Sequence, residues 1–164
     1  MHRLVPILIA LAGCGSPVVL PPPPTNLSAI AVAPVENKTG DKLVVSGDSY
    51  VGRWLGMKRR TVPDVFRDAI RDVLTNRGFT VADAGAMPTL RVTLRRFEPD
   101  LPQLAFVEVG VNAVLTDPDG TVRWDVDGAK WLVSTQGAPS LAAAYDSAAR
   151  DAAKKLLDDW APTP

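Results

Sequence analysis

The stretch QLAFVEVGVNAVLT (103–116), DPDG (117–120), TVRWDVDGAKWLVST (121–135) decides the fold. In its first part Ala105, Val107, Val109, Val111, Ala113 and Leu115 fall at every second position, the period of a strand that buries one face. Asp117-Pro118-Asp119-Gly120 is turn chemistry, with proline and glycine supplying the restricted and the permissive backbone. The third part returns with the same alternation, which shifts near Gly128, so a bulge is predicted there. A long antiparallel hairpin follows. Trp124 and Trp131 on it read as core residues.

Upstream, Thr89 to Phe97 alternates Leu90, Val92 and Leu94 with Arg91, Thr93 and Arg95, giving a third strand with one dry face and one wet face. Phe79-Thr80-Val81 is a shorter strand. Leu27 to Val35 reads as a mostly buried first strand, ended by Glu36-Asn37-Lys38-Thr39-Gly40. Two helices separate these strands or follow them. The first has Thr61 as N-cap, Pro63 and Asp64 in its first turn, and an apolar stripe of Val65, Phe66, Ala69, Ile70, Val73 and Leu74, with Gly78 as its stop. The second is capped by Ser140 and carries Leu141, Tyr145, Ala148, Ala152, Leu156 and Trp160 on one stripe, with Pro162 ending it. Each helix has one apolar stripe and the strands one dry face. The expected fold is therefore α+β, a two-layer sandwich in which two helices cover one face of a mainly antiparallel sheet of four to five strands.

The N-terminal part has a different character. Leu4 to Gly13 is almost wholly apolar. Ten helical residues rise about 15 Å, half of the roughly 30 Å that a bilayer core requires, so the run has the length of a signal-peptide core and not of a span. Leu11-Ala12-Gly13-Cys14 follows it directly and resembles the lipobox of bacterial lipoproteins at all four positions. That resemblance implies cleavage between Gly13 and Cys14, a diacylglyceryl group on the thiol and an acyl group on the new amine, with no other cofactor. Gly15 stands where an aspartate commonly retains Gram-negative lipoproteins at the inner membrane. The resemblance therefore implies an outer-membrane location, facing the periplasm. Residues 14–26, with Pro17 and the run Pro21 to Pro24, form a tether that favours polyproline II and reaches up to about 35 Å. Residues 1–13 are thus expected to be signal peptide, 27–161 a single domain, and 162–164 a tail.

The residue inventory bears on chemistry. The chain has one histidine, His2, and one cysteine. Once the signal is removed, histidine acid–base catalysis, Ser-His-Asp and Cys-His nucleophiles, and His or Cys zinc sites are excluded. Carboxylate pairs remain at Asp117 and Asp119, in the turn, and at Asp125 and Asp127, on the wet face of a strand. A non-enzymatic protein is expected. Eighteen basic and eighteen acidic residues cancel, which removes the long-range attraction of a general nucleic-acid binder.

Two features are candidate binding elements. The segment Lys38 to Arg60 is long for a connection and holds Tyr50 and Trp54, aromatic types enriched at interface hot spots; the alternative is an extra strand or hairpin packed on the core. Arg53, Lys58, Arg59 and Arg60 form a basic cluster suited to anionic head groups or lipopolysaccharide phosphates, unless it is simply a solvated loop. Arg91, Arg95 and Arg96 would extend that patch if their strand lay nearby.

Ile30 to Gly40, the helix ending Arg77-Gly78-Phe79, Leu90 to Leu94, and Asp119-Gly120 leading to Val122-Arg123-Trp124 are similar to small outer-membrane lipoproteins of the YajG kind and to the LptE kind. The resemblance implies a membrane-anchored envelope module that binds a protein or lipid partner without turnover. Its alternative is an accessory of lipopolysaccharide or lipid assembly that plugs and supports a barrel. A carboxylate-dependent cell-wall hydrolase is the third reading.

Overall fold

The structure, a computed structural model, describes residues 19–40, 60–100 and 105–162, and the backbone of 44–46. The lipobox, Tyr50, Arg53, Trp54, Lys58 and Arg59 lie outside the described residues.

The elements run β1 (Ala29–Val32), β2 (Glu36–Asn37), β3 (Val44–Ser46), β4 (Arg60–Thr61), α1 (Val62–Asn76), β5 (Thr80–Ala82), β6 (Thr89–Pro99), β7 (Phe106–Thr116), β8 (Val122–Ser134) and α2 (Leu141–Leu156). Six strands make the main sheet in the order β5-β1-β6-β7-β8, with β2 pairing β6 beyond the end of β1. The long pairs β6–β7 and β7–β8 are antiparallel. The α+β architecture with two helices over one face is the expected one. The short β1 adds a detail that alternation could not reveal: it runs parallel to both its neighbours, β5 and β6. β1–α1–β5 is therefore a crossover unit, and its parallel pairing needs the helix to return the chain.

The dry face follows the alternation. Val107, Val109, Val111, Ala113 and Leu115 of β7 are all fully buried, beside Leu90, Val92, Leu94 and Phe97 of β6 and Trp124, Val126, Ala129 and Val133 of β8. Two bulges keep this face apolar across breaks in the period. At Gly128 the register moves from Val111↔Ala129 to Ala113↔Val126. Gly128 has φ +69°, and Asn112 opposite it holds both bulged residues, donating to Asp127 Oδ1 at 2.7 Å and accepting from Gly128 N at 3.0 Å. A side chain in this left-handed conformation costs about 1–2 kcal/mol, so Gly128→Ala is expected to lower unfolding free energy by that amount in a denaturant titration. The second bulge lies between Leu94 and Arg96. Both Arg95 and Arg96 face water, which turns Phe97 inward.

Thr61 caps α1 as its sequence implies. Asp64 Oδ2 accepts from Thr61 N at 2.8 Å, and the Thr61 hydroxyl accepts in return from Asp64 N at 3.5 Å, completing a capping box. Thr61→Ala removes the hydroxyl acceptor and is expected to cost about 1 kcal/mol, read as a lower denaturation midpoint at unchanged slope. Gly78, at φ +94°, ends the helix. Val65, Phe66, Ala69, Ile70 and Leu74 are its buried stripe.

The second helix departs from expectation at both ends. Ser140 caps it, accepting from Ala143 N at 3.2 Å. Its buried stripe is Ala144, Ala148, Ala149, Ala152, Ala153 and Leu156, while Leu141 is 41% exposed. Small alanines let the helix lie close to α1 and the sheet, and the bulkier Leu141 falls outside that seam. The helix stops at Leu156 and does not continue to Trp160. Asp158 and Asp159 would set two negative charges at the negative end of the dipole. Trp160 instead returns through a turn, its N–H donating to Leu157 O at 3.0 Å, and meets Trp124 edge-on at 4.9 Å.

Candidate functional site: the bare sheet face and the β8 edge

Since both helices lie on one side, no described helix or strand covers the other face of β6, β7 and β8. The cross-strand rows on it are set by the register. Glu98 pairs with Glu108, and Glu108 with Leu132; Arg96 pairs with Gly110, and Gly110 with Lys130. Gly110 is needed here, because a Cβ on it would come within 3.0 Å of the Arg96 Cβ. The bare glycine lets Arg96 lie across the strand, where its guanidinium meets Glu98 at 2.7 Å and Glu108 Oε1 at 2.7 Å. Lys130 Nζ approaches the same Glu108 oxygen at 2.6 Å. That oxygen is shut off from water, and the two cations hold it by charge and not by aligned hydrogen bonds. Farther along, Arg91 donates to Thr116 Oγ1 at 2.7 Å.

The order of the sheet makes β8 an edge strand. The chain segment Val19 to Asn26 runs beside it. Leu20 packs on the core, Trp124 Nε1 donates to Pro21 O at 3.3 Å, and Arg123 Nη1 donates to Asn26 O at 3.4 Å. Part of the proline-rich tether is thus laid against the domain and adds nothing to its reach. Between this strap and the strand lies a groove of about 960 Å³, lined by Val19, Leu20, Pro21 and Pro22 on one side and by Asp125 to Lys130, Glu108 and Leu132 on the other.

The predicted site residues are placed as follows. Arg60 is the only member of the basic cluster among the described residues. It is ion-paired with Asp68 of α1 at 2.9 Å and lies 3.9 Å from Asp146 of α2. It therefore belongs to the helix layer, whereas Arg91, Arg95 and Arg96 project from the opposite face of the sheet. The structure does not bring Arg60 and these three arginines together. Of the segment 38–60, the described strand β3 pairs with β4 at the segment's end as a separate two-stranded sheet.

The carboxylate pairs have structural partners. Asp117 holds Arg123 at 2.7 Å. Asp119 accepts from Thr121 N at 2.9 Å, and this backbone bond, aided by the Thr121 hydroxyl, keeps its carboxyl below the usual carboxylate range. Asp127 is engaged by Asn112, and Asp125 lines the groove. Among the described residues no three His, Cys, Asp or Glu side chains converge as metal ligands, and no helix is long and apolar enough to cross a membrane.

Sequence reasoning missed the groove. Its two walls are separated by about a hundred residues, and only the alternation that sets Leu132 outward on β8 hinted at it. Trp124 and Trp131 belong to the core as expected: Trp124 is buried and Trp131 packs against the buried cluster.

No family model matches the chain, and no curated protein matches it in sequence. Solved structures do. PelC from Paraburkholderia phytofirmans, a dodecamer, is 16% identical over 89% of this chain and 96% of its own, with a TM-score of 0.53. Protein XCC0632 from Xanthomonas campestris, of the DUF330 family, is also 16% identical, over 85% of this chain and 89% of its own, with a TM-score of 0.53. At this identity the likeness is one of fold: the chain has the α+β architecture of PelC and XCC0632 over nearly its whole length.

Proposed function

We propose that this chain is a lipid-anchored protein of the bacterial envelope that acts as a non-catalytic binding or assembly module, held at the outer membrane and facing the periplasm. The observation that carries this reading is the docked strap. A lipobox cysteine six residues before Leu20 would hold the domain within about 20 Å of the bilayer, with the β8 edge on the anchored side. Two or three acyl chains make such an anchor stable, since each buried methylene contributes about 0.8 kcal/mol. The two carboxylate pairs support the non-catalytic half, because three of their four side chains are engaged by the turn or the bulge.

A narrower role of the LptE kind, contacting lipopolysaccharide, would need a cationic patch built without Arg60, which is engaged by the two helices. Assembly into a ring of copies is the second reading, and the dodecameric state of PelC favours it.

Crosslinking in intact cells, followed by identification of the captured species, tests the proposal. A defined envelope partner, or a ladder of copies of this chain, is the expected result. Cell-wall cleavage by the purified protein, lost on substituting Asp125 and Asp127, would contradict it.

A further inference from the structure

We propose that the groove along β8 binds an extended, cationic segment of a partner protein, which lies beside β8 as an added strand. The inference stands on the described groove alone and does not depend on the lipid anchor.

Three observations converge. First, β8 is a thirteen-residue edge strand, and alternate residues of an edge direct backbone N–H and C=O groups away from the sheet. The strap beside it cannot pair with them as a strand would, because Pro21 and Pro22 lack the N–H. It stands off and leaves the groove open. The stretch Asp125 to Lys130 that lines it is about 20 Å long, room for five or six extended residues at about 3.4 Å each, with the Gly128 bulge inside it.

Second, the groove carries uncompensated negative charge. Among the described residues that line it, Lys130 is the one basic side chain, and Glu108 already holds it at 2.6 Å. Asp127 accepts from a neutral amide, and Asp125 has no ion-pair partner among the described residues. Both project to the same side of β8, two residues apart, so a strand laid alongside would meet them with basic side chains at alternate positions.

Third, the groove exposes apolar surface. Val19 is 87% and Leu132 62% exposed, and both line it. An added strand with apolar residues between its basic ones would cover them. Anionic lipid fits poorly, since Asp125 and Asp127 would repel its head groups. This is strand addition at a sheet edge, with backbone pairing for affinity and side-chain pockets for selection.

The test uses the full chain and two short blocked peptides with a fluorescent label, one alternating lysine and valine, the other glutamate and valine. Fluorescence anisotropy should show binding of the lysine peptide alone, weakening as salt rises. Asp125→Asn combined with Asp127→Asn should weaken it about tenfold, as two exposed charge pairs would. Asn at 127 retains the oxygen that Asn112 bonds, so the bulge is kept. Leu132→Ser, which removes the exposed apolar surface without adding a charge, should weaken binding by a similar factor. Hydrogen exchange of the β8 amides should slow on binding if the peptide pairs as a strand. Equal affinity for the two peptides would overturn the proposal. So would unchanged affinity in the Asp125/Asp127 double variant, binding of anionic vesicles in place of peptide, or burial of β8 by a second copy of this chain.

Discussion

Replacing Cys14 by serine is expected to move nearly all of the protein from the membrane fraction to the soluble fraction. Serine keeps the size of the side chain but is not the thiol nucleophile that lipobox chemistry requires, so neither the diacylglyceryl group nor the later acylation would follow. The expected loss is large because, on the proposed reading, the acyl chains carry the attachment: a single chain gives only marginal, reversible binding, and two or more make it effectively permanent. No helix among the described residues is long and apolar enough to cross a membrane. The domain itself should be unaffected, because Leu20, Pro21 and Asn26 secure the strap downstream of the change. Ultracentrifugation of cell lysates with immunodetection measures the effect. Retention of the variant in washed membranes would contradict the anchoring.

The largest stability effect is expected at Phe97. Its ring is 1% exposed and meets Tyr145 of α2 edge-on, with centroids 5.2 Å apart. It ties the far end of β6 to the second helix. Phe97→Ala removes the buried ring and leaves a cavity, for a cost of about 3–5 kcal/mol. Against a total stability of about 5–15 kcal/mol, this takes the protein close to its unfolding threshold. A fall in Tm of roughly 10–20 °C by calorimetry is expected. Tyr145→Leu keeps apolar bulk and loses the ring pair, so it should cost a small part of that. If Phe97→Ala left Tm unchanged, the placement of Phe97 beneath α2 would be wrong.

Phe97 also shows where the sequence was legible and where it was not. Strict alternation from Leu90 through Val92 and Leu94 assigns Arg96 to the dry face and Phe97 to the wet one. The bulge at Arg95 reverses that. The corresponding shift at Gly128 could be anticipated, because a glycine marks it and Ala129 and Val133 resume the period in the other phase. Arg95 offers no such mark. The caps at Thr61 and Ser140 and the stop at Gly78 are local chemistry and could be read directly. The parallel pairing of β1 could not, since Ile30, Ala31 and Val32 form a continuous apolar run that fits burial in either direction. Leu141 and Trp160 fit a helical period, but the close packing of alanines and the charges of Asp158 and Asp159 moved the seam and ended the helix early.

The site was less legible than the fold. A cluster such as Lys58-Arg59-Arg60 looks like one surface feature in one dimension. In space Arg60 is drawn toward Asp68 and Asp146, and the arginines of β6 face the other way. The groove has the opposite character: Val19 and Leu132 are distant in sequence, and only the docking of the strap on Trp124 makes them neighbours.

Intact-mass and N-terminal peptide mass spectrometry of the protein purified from native membranes bears most directly on the central reading. The expected product begins at Cys14 and carries a diacylglyceryl thioether and an amide-linked acyl chain. A product that retains Met1, or one with an unmodified thiol at Cys14, would contradict it.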